Sequence, residues 1–357
     1  MPGMMAGMMP GMMAGTRSRY VPPVQRVADP PNLDLLARRA AAAASTHDEG
    51  AGVHSVEPLS GGYSSLTYTA VLTRPGVPDV PIVVKVAPAG VAPIKNRDML
   101  RQARVLRALV QVPDVCVPEV LFESAGEPPD TPPFFATAFV AGDSVEPLVE
   151  PTDDIPDAVL AARAIAAARM LGALHRVDPA SVGLGDEPTT SLVAEVEHWR
   201  RSFESVGDDL RFGGVELSDR LLEGVPEARP AGLVHGDYKL GNIRAEGATI
   251  RAIVDWEIWS VGDGRIDLAW FLLMLDKDYP MRAHDVPALP LAAELHQAYE
   301  AARGEAVRNL EWFHAFVRFK QAAATALLTK QARKRGGEGY PATIESLLVA
   351  AGSRIGA

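Results

Sequence analysis

The sequence predicts an α+β fold in two lobes: an N-terminal antiparallel sheet carrying one helix, then a larger, mainly helical lobe containing a short hairpin. Three observations predict it. Alternating apolar runs fill residues 53–86, and two more strand-like runs follow a single amphipathic helix. After Gly142 the periodicity turns helical and the composition alanine-rich. Inside that helical part lies one polar string, LVHGDYKLGNIRAEGATIRAIVDWE, from Leu233 to Glu257.

The elements follow in order. Residues 1–30, opening MPGMMAGMMPGMMAGTRSRY, are low in complexity and lack the charged start of a signal peptide, so a disordered tail is expected. Asn32 to Thr46 is alanine-rich and helical. HSVEPLSGG is a strand running into a glycine turn. YSSLTYTAVL is a second strand, with Leu66, Tyr68, Ala70 and Leu72 on one face. TRPGVPD turns the chain through its prolines and glycine, and VPIVVKVAP is the third strand. Met99, Ala103, Leu106 and Val110 recur at helical spacing over about residues 97–111, and CVPEVLFES and PFFATAFV supply two further strands. Helices are expected over Pro156–Arg176, Leu192–Glu204, part of Leu210–Ala228, Asp267–Leu275, Ala292–Ala302, Leu310–Lys334 and Thr343–Ala351. No internal repeat is visible.

Composition bounds the function. The 357 residues suffice for two lobes, and 47% hydrophobic residues indicate a soluble globular chain. A formal net charge of −10 argues against nucleic acid as a partner and favours cationic small molecules, although an acidic surface kept for solubility gives the same number. The single cysteine, Cys116, excludes a disulfide framework and a cysteine-based zinc site; its valine neighbours suggest a buried, inert thiol. No run of about 18 apolar residues exists, so no membrane span is expected and the cytoplasm is the default compartment. His175, His198, His284, His296 and His314 show no metal-ligand spacing.

The chemistry concentrates in the polar string. Asn242–Arg244 and Ile250–Val254 flank a turn at Glu246-Gly247-Ala248, which reads as a hairpin. Folded there, it sets Asn242 opposite Asp255 at its open end, with Asp237 on the loop feeding the same end. Two carboxylates and an amide make a hard-oxygen site suited to Mg²⁺ carrying phosphates, with one carboxylate left to accept a proton from a hydroxyl.

The spacing Asp-x-Lys-x-x-Asn resembles the catalytic loop of protein kinases. The HGD start, and VDWE where kinases carry Asp-Phe-Gly, resemble instead the aminoglycoside phosphotransferase and choline kinase family. HGDYKLGN, IVDWE and GDGRIDLAWF together are similar to bacterial phosphotransferases related to the kinase domain fused to some acyl-CoA dehydrogenases. The resemblance implies a protein-kinase-like fold, with residues 31–141 as a nucleotide-binding lobe and 142–357 as a catalytic and substrate lobe around a catalytic hairpin. It implies ATP and Mg²⁺ as cofactors and a small-molecule hydroxyl as acceptor. Aminoglycosides are the family's named substrates, and choline, sugars and homoserine are acceptors of relatives.

By the same resemblance, Gly61, Gly62 and Ser64 would cover the triphosphate, where glycine lets backbone N–H groups approach. Lys85 would pair the α- and β-phosphates. The family's helix glutamate for that lysine is Gln102 here, which can accept a hydrogen bond from Lys85 but supplies no charge; Asp98, one turn earlier, could substitute for it. The backbone of Ala138 and Val140 would hold adenine, with Thr137 at the back of the pocket. Asp237 would be the catalytic base and Lys239 would offset charge at the γ-phosphate, while Asn242 and Asp255 would hold Mg²⁺. His235 would brace the loop. Asp267 would cap a helix and tie back to the loop, and Gly264, where the family has proline, should loosen it. The acidic DKDY segment (Asp276–Tyr279) could meet amino groups of an acceptor.

Each motif also has a plainer explanation: glycine hairpins, strand-edge lysines and solvated loop lysines are common. Two rival functions stay in view, a nucleotide-binding protein with weak or no catalysis, which Gln102 favours, and a metal phosphohydrolase built on His235, Asp237 and Asp255.

Overall fold

The computed structural model describes residues 31–59, 66–90, 92 and 94–355. The expected tail and the glycine loop with Gly61, Gly62 and Ser64 lie outside them.

The chain opens with α1 (Leu33–His47), whose first turn is closed by the Asn32 side chain accepting the Leu35 N–H at 3.0 Å. Strands β1 (Gly52–Pro58), β2 (Leu66–Arg74) and β3 (Val77–Val86) follow. Helix α2 (Met99–Leu109) intervenes before β4 (Val120–Ser124) and β5 (Phe134–Ala138). All five strands form one antiparallel sheet in the order β1-β2-β3-β5-β4. The period of two divides its residues between two jobs. Tyr68, Ala70, Ile82, Val84, Phe134 and Ala136 pack on one face against Leu36, Ala40 and Ala44 of α1. Thr67, Val83, Lys85, Phe135 and Thr137 point the other way, toward the cleft between the lobes. The β-β-β-α-β-β order read from the sequence is therefore the observed one. Val110, expected on the buried face of α2, is instead its exposed C-terminal cap.

The second lobe is built from α3 (Asp157–Leu174), α4 (Leu192–Glu204), α5 (Gly214–Glu223), α6 (Arg265–Met274), α7 (Ala292–Arg303), α8 (Leu310–Lys334) and α9 (Pro341–Gly352). The long α8 carries Trp312, Phe313, Phe316 and Phe319 into a core shared with α4, α5, α6 and α9. A second core joins α3 to α7 and reaches α2 in the sheet lobe, so apolar packing is continuous between the lobes. Between α5 and α6 run β6 (Gly232–Val234), the hairpin strands β7 (Ile243–Glu246) and β8 (Thr249–Ile253), and β9 (Ser260–Gly262). β6 pairs with β9, with Leu233 opposite Val261, and ties off both ends of the polar string. Sequence periodicity did not reveal this pair, because three-residue strands are too short to show alternation. Cys116 is half-buried, and burial pushes its thiol pKa up. Among the described residues no helix is long and apolar enough to cross a membrane.

Candidate active site

The hairpin turns at Gly247-Ala248, where Gly247 takes a φ of +56°, and Glu246 faces Thr249. Ile243 and Ile253 pair at the other end, and the Val254 N–H donates to Asn242 O at 2.9 Å. Asn242 and Asp255 therefore flank the open end as the spacing predicts. The chain crossing from the sheet to the helices is stitched to this hairpin: Asp143 and Ala245 exchange both backbone hydrogen bonds at 2.9 Å. Gly142, at φ +105°, makes the crossing possible, since a Cβ there would collide with the Ala245 carbonyl.

The loop before the hairpin is held from beneath. The Asp267 carboxylate accepts the backbone N–H of His235 at 2.6 Å and of Gly236 at 2.8 Å. Burial pushes the Asp267 pKa up, but hydrogen bonding and charge from His175 outweigh it and keep the carboxyl below its ordinary range. Asp267 does not cap its own helix; Gly264 holds the α6 N-cap position, without a side-chain cap bond. Gly264 does not loosen the segment either. A Cβ there would stand 2.7 Å from the His175 ring, so the glycine permits a close approach. His235 is buried; with Nε2 donating to Val254 O at 3.0 Å, Nδ1 is assigned as acceptor of the Asp237 N–H at 3.3 Å.

Every oxygen of the Asp237 carboxylate has a donor. Oδ1 accepts from Trp270 Nε1 at 3.0 Å; Oδ2 accepts from Lys239 Nζ at 2.7 Å and Asn242 Nδ2 at 3.0 Å. Asn242 Nδ2 also donates to Asp237 O at 2.9 Å, which commits its amide hydrogens and leaves its oxygen as the atom free for a cation. Burial lowers the Lys239 pKa, but the adjoining Asp237 carboxylate overrides this and raises it above normal.

Lys85 is held differently from the sequence expectation. Its Nζ donates to Asp255 Oδ1 at 2.9 Å. Gln102 instead donates its amide to Asn96 O at 3.0 Å, and Asp98 caps α2 by accepting the Arg101 N–H at 3.0 Å. Each of these polar groups has a local partner, so the lysine turns to the carboxylate across the cleft. Burial raises the Asp255 pKa, yet the charge of Lys85 more than offsets it and the net shift is downward. Asp255 adopts φ +67°, in the left-handed region. Lys85, Gln102, Ala138, Val140, Asn242 and Asp255 all line one cleft of about 560 Å³ between the lobes, with Thr137 on its sheet wall.

Three neighbours escaped sequence reasoning. Trp270 lies one turn beyond Asp267 on α6, and that i,i+3 spacing is the signal that could have found it. Lys320 of α8 donates to Gly236 O at 2.9 Å, with its ammonium 5.4 Å from the Trp270 ring. Glu146 is buried against the loop, its Oε2 accepting the Gly241 N–H at 3.2 Å while Oε1 has no partner among the described residues. Burial pushes its pKa up to about 8. Neither lysine nor glutamate sits in a motif that announces its place. The DKDY segment is less available than expected: Asp276 is paired with Arg318 at 2.7 Å and Tyr279 is buried.

Comparison with known proteins bears on the family and the fold. The model of the phosphotransferase enzyme family matches residues 55–316. Acyl-CoA dehydrogenase family member 10 of Mus musculus is 26% identical over 298 residues, covering 76% of this chain and 26% of that protein. Acyl-CoA dehydrogenase family member 11 of the same species is 29% identical over 183 residues, 47% of this chain and 23% of that protein. The chain thus spans about a quarter of the length of these relatives. A Ralstonia eutropha JMP134 structure with a provisional aminoglycoside phosphotransferase assignment superposes with a TM-score of 0.70 at 21% identity, covering 90% of this chain and 98% of that one. An aminoglycoside phosphotransferase, APH(4)-Ia, solved as a mutant with ADP and hygromycin B, gives 0.56 at 15% identity, covering 85% and 94%. A macrolide 2′-phosphotransferase of type I gives 0.56 at 20%, covering 90% and 96%. The structural likenesses carry the fold and the family match carries the membership: this chain belongs to the phosphotransferase enzyme family and is built on a protein-kinase-like scaffold.

Proposed function

We propose that this protein is a kinase that uses ATP and Mg²⁺ to phosphorylate a hydroxyl of a small molecule, with residues 31–141 as the nucleotide lobe and 142–357 as the catalytic and substrate lobe. The observation that carries the reading is the meeting of Asp237, Lys239 and Asn242 at 2.7 to 3.0 Å beside a cleft in which Asp255 holds Lys85. Neighbouring folds complexed with ADP and with AMP-PNP support an adenine nucleotide.

The residues present fit a magnesium ion. Asp255 offers a carboxylate kept ionised, and Asn242 offers an oxygen whose amide nitrogen is already committed. Among the described residues no group of three or more His, Cys, Asp or Glu could hold a metal by itself, which suits an ion that takes its other ligands from phosphate and water. Bound there, Mg²⁺ would neutralise phosphate charge.

Asp237 orients the acceptor hydroxyl and takes its proton as the hydroxyl oxygen bonds to the γ-phosphorus. The bond from phosphorus to the bridging oxygen breaks, and ADP leaves with that oxygen. Trp270, Lys239 and Asn242 fix the base, and Lys239 offsets the charge developing on the transferred group. Lys85 lies on the cleft wall for the α- and β-phosphates, and Gln102 adds polar lining beside it. Ala138 and Val140 would supply backbone groups to adenine. The acceptor class is best found by screening Mg-ATP consumption over aminoglycosides, amino alcohols, sugars and acyl-chain alcohols. Turnover with one class that Asp237→Asn abolishes is the expected result. Mg-ATP binding without turnover on any acceptor would point to a nucleotide-binding protein instead.

A further inference from the structure

Gln102 does not hold Lys85, yet α2 is anchored firmly, and its anchors lie in the other lobe. Arg101 reaches Glu187 Oε2 through both Nε and Nη2 at 3.0 Å. Its Nη1 donates to Trp259 O at 2.9 Å, and its guanidinium carbon lies 3.9 Å over the Trp259 ring. One turn on, Arg104 meets Glu187 Oε1 at 3.1 Å, Gly183 O at 2.8 Å, and Asp186. Both Glu187 oxygens are therefore used by arginines of α2, and its side chain is only 8% exposed. Trp259 is 2% exposed and stands four residues beyond Asp255 on the same segment. The helix that fails to hold Lys85 thus grips the stretch of chain that does.

We propose that Arg101, Arg104 and Glu187, acting through Trp259, form a cross-lobe positioning clamp that replaces the absent helix carboxylate by setting the Lys85–Asp255 pair. The inference rests on reading that pair as the phosphate and metal residues. Its physical basis is charge in a poorly solvated place. Glu187 is the carboxylate partner of Arg101 and shares Arg104 with Asp186, so its removal leaves Arg101 without a carboxylate and loosens the hold of α2 on Trp259. None of the three side chains contacts the reacting atoms; each acts by placing others.

The test uses the full chain and calorimetric titration with Mg-ATP, which requires no acceptor. Wild-type binding that Lys85→Ala weakens supports the nucleotide reading on its own. The clamp predicts that Glu187→Ala, still folded by circular dichroism, binds Mg-ATP about tenfold more weakly, within the usual span of coupling between sites. It predicts further that adding Gln102→Glu to the Glu187→Ala protein restores binding to within about threefold of the Gln102→Glu single variant, because a helix carboxylate can again reach Lys85. A purely structural role for Glu187 would give no such rescue. Unchanged affinity in Glu187→Ala, or a loss that Gln102→Glu leaves in place, overturns the clamp while the nucleotide reading stands. Wild-type protein that does not bind Mg-ATP sinks both. If Glu187→Ala does not fold, the isosteric Glu187→Gln takes its place under the same criteria.

Discussion

The two carboxylates of the cleft are held in opposite ways. Asp237 receives two of its three side-chain hydrogen bonds from residues within five positions of itself, Lys239 and Asn242, on a loop pinned below by Asp267. Asp255 receives its ammonium partner from Lys85, 170 residues away in the other lobe. The Asp237 side of the site is thus assembled by local geometry. The Lys85–Asp255 pair exists only while the lobes are in register.

Substitutions can break this contrast, and the largest effect belongs to the local side. Asp237→Asn keeps shape but removes the proton acceptor, so kcat should fall by about 10²- to 10⁴-fold with little change in Mg-ATP affinity. Equal loss of affinity would contradict the separation of the two sides. Next comes the support of the loop. Asp267→Ala strands two buried N–H donors and should cost about 3 kcal/mol in denaturant unfolding, with loss of activity beyond that expected from the unfolded fraction. Lys85→Ala should weaken Mg-ATP about tenfold while leaving stability nearly unchanged, and titration of Asp255 should move upward once its cation is gone. An undisturbed Asp255 titration would show that the lysine is not its controlling charge.

The smallest effect is a pH dependence. Glu146 titrates near 8 in the folded chain against an ordinary value of 4.5, so the native state binds a proton that the unfolded state has released. Its contribution to stability is therefore present below pH 4.5 and is lost progressively as pH rises through about 8. Glu146→Gln should flatten the stability profile over that window by at most a few kcal/mol, at about 1.4 kcal/mol per pKa unit. Thermal melts between pH 5 and 9 check it. An unchanged profile would assign the slope to other groups.

The sequence made the local side legible and left the long-range side hidden, for one physical reason. Hairpin pairing and the Asp-x-Lys-x-x-Asn loop are fixed by residues close in the chain, and their placement followed from spacing. The run VPIVVKVAP likewise placed Lys85 on the third strand. What the lysine touches depends on how Gln102, Asp98 and Asp255 compete for partners in three dimensions, and the competition went to the residue farthest away in sequence. Trp270, Lys320 and Glu146 reach the loop from separate elements, so no window of sequence contains them together with it. Gly264 shows the same limit: a departure from a family motif looked like a loss of rigidity until the ring of His175 filled the space.

The backbone bridge between Asp143 and Ala245 has a mechanical meaning. It fastens the strip of chain linking sheet to helices onto the hairpin whose far end carries Asn242 and Asp255. A motion that kept both bonds would pivot at that fastening, like a door whose hinge plate is screwed to the lock. The exit from β5 and the Asn242–Asp255 end of the hairpin are thereby held at one spacing, with α2 clamped to the same lobe through Arg101 and Arg104.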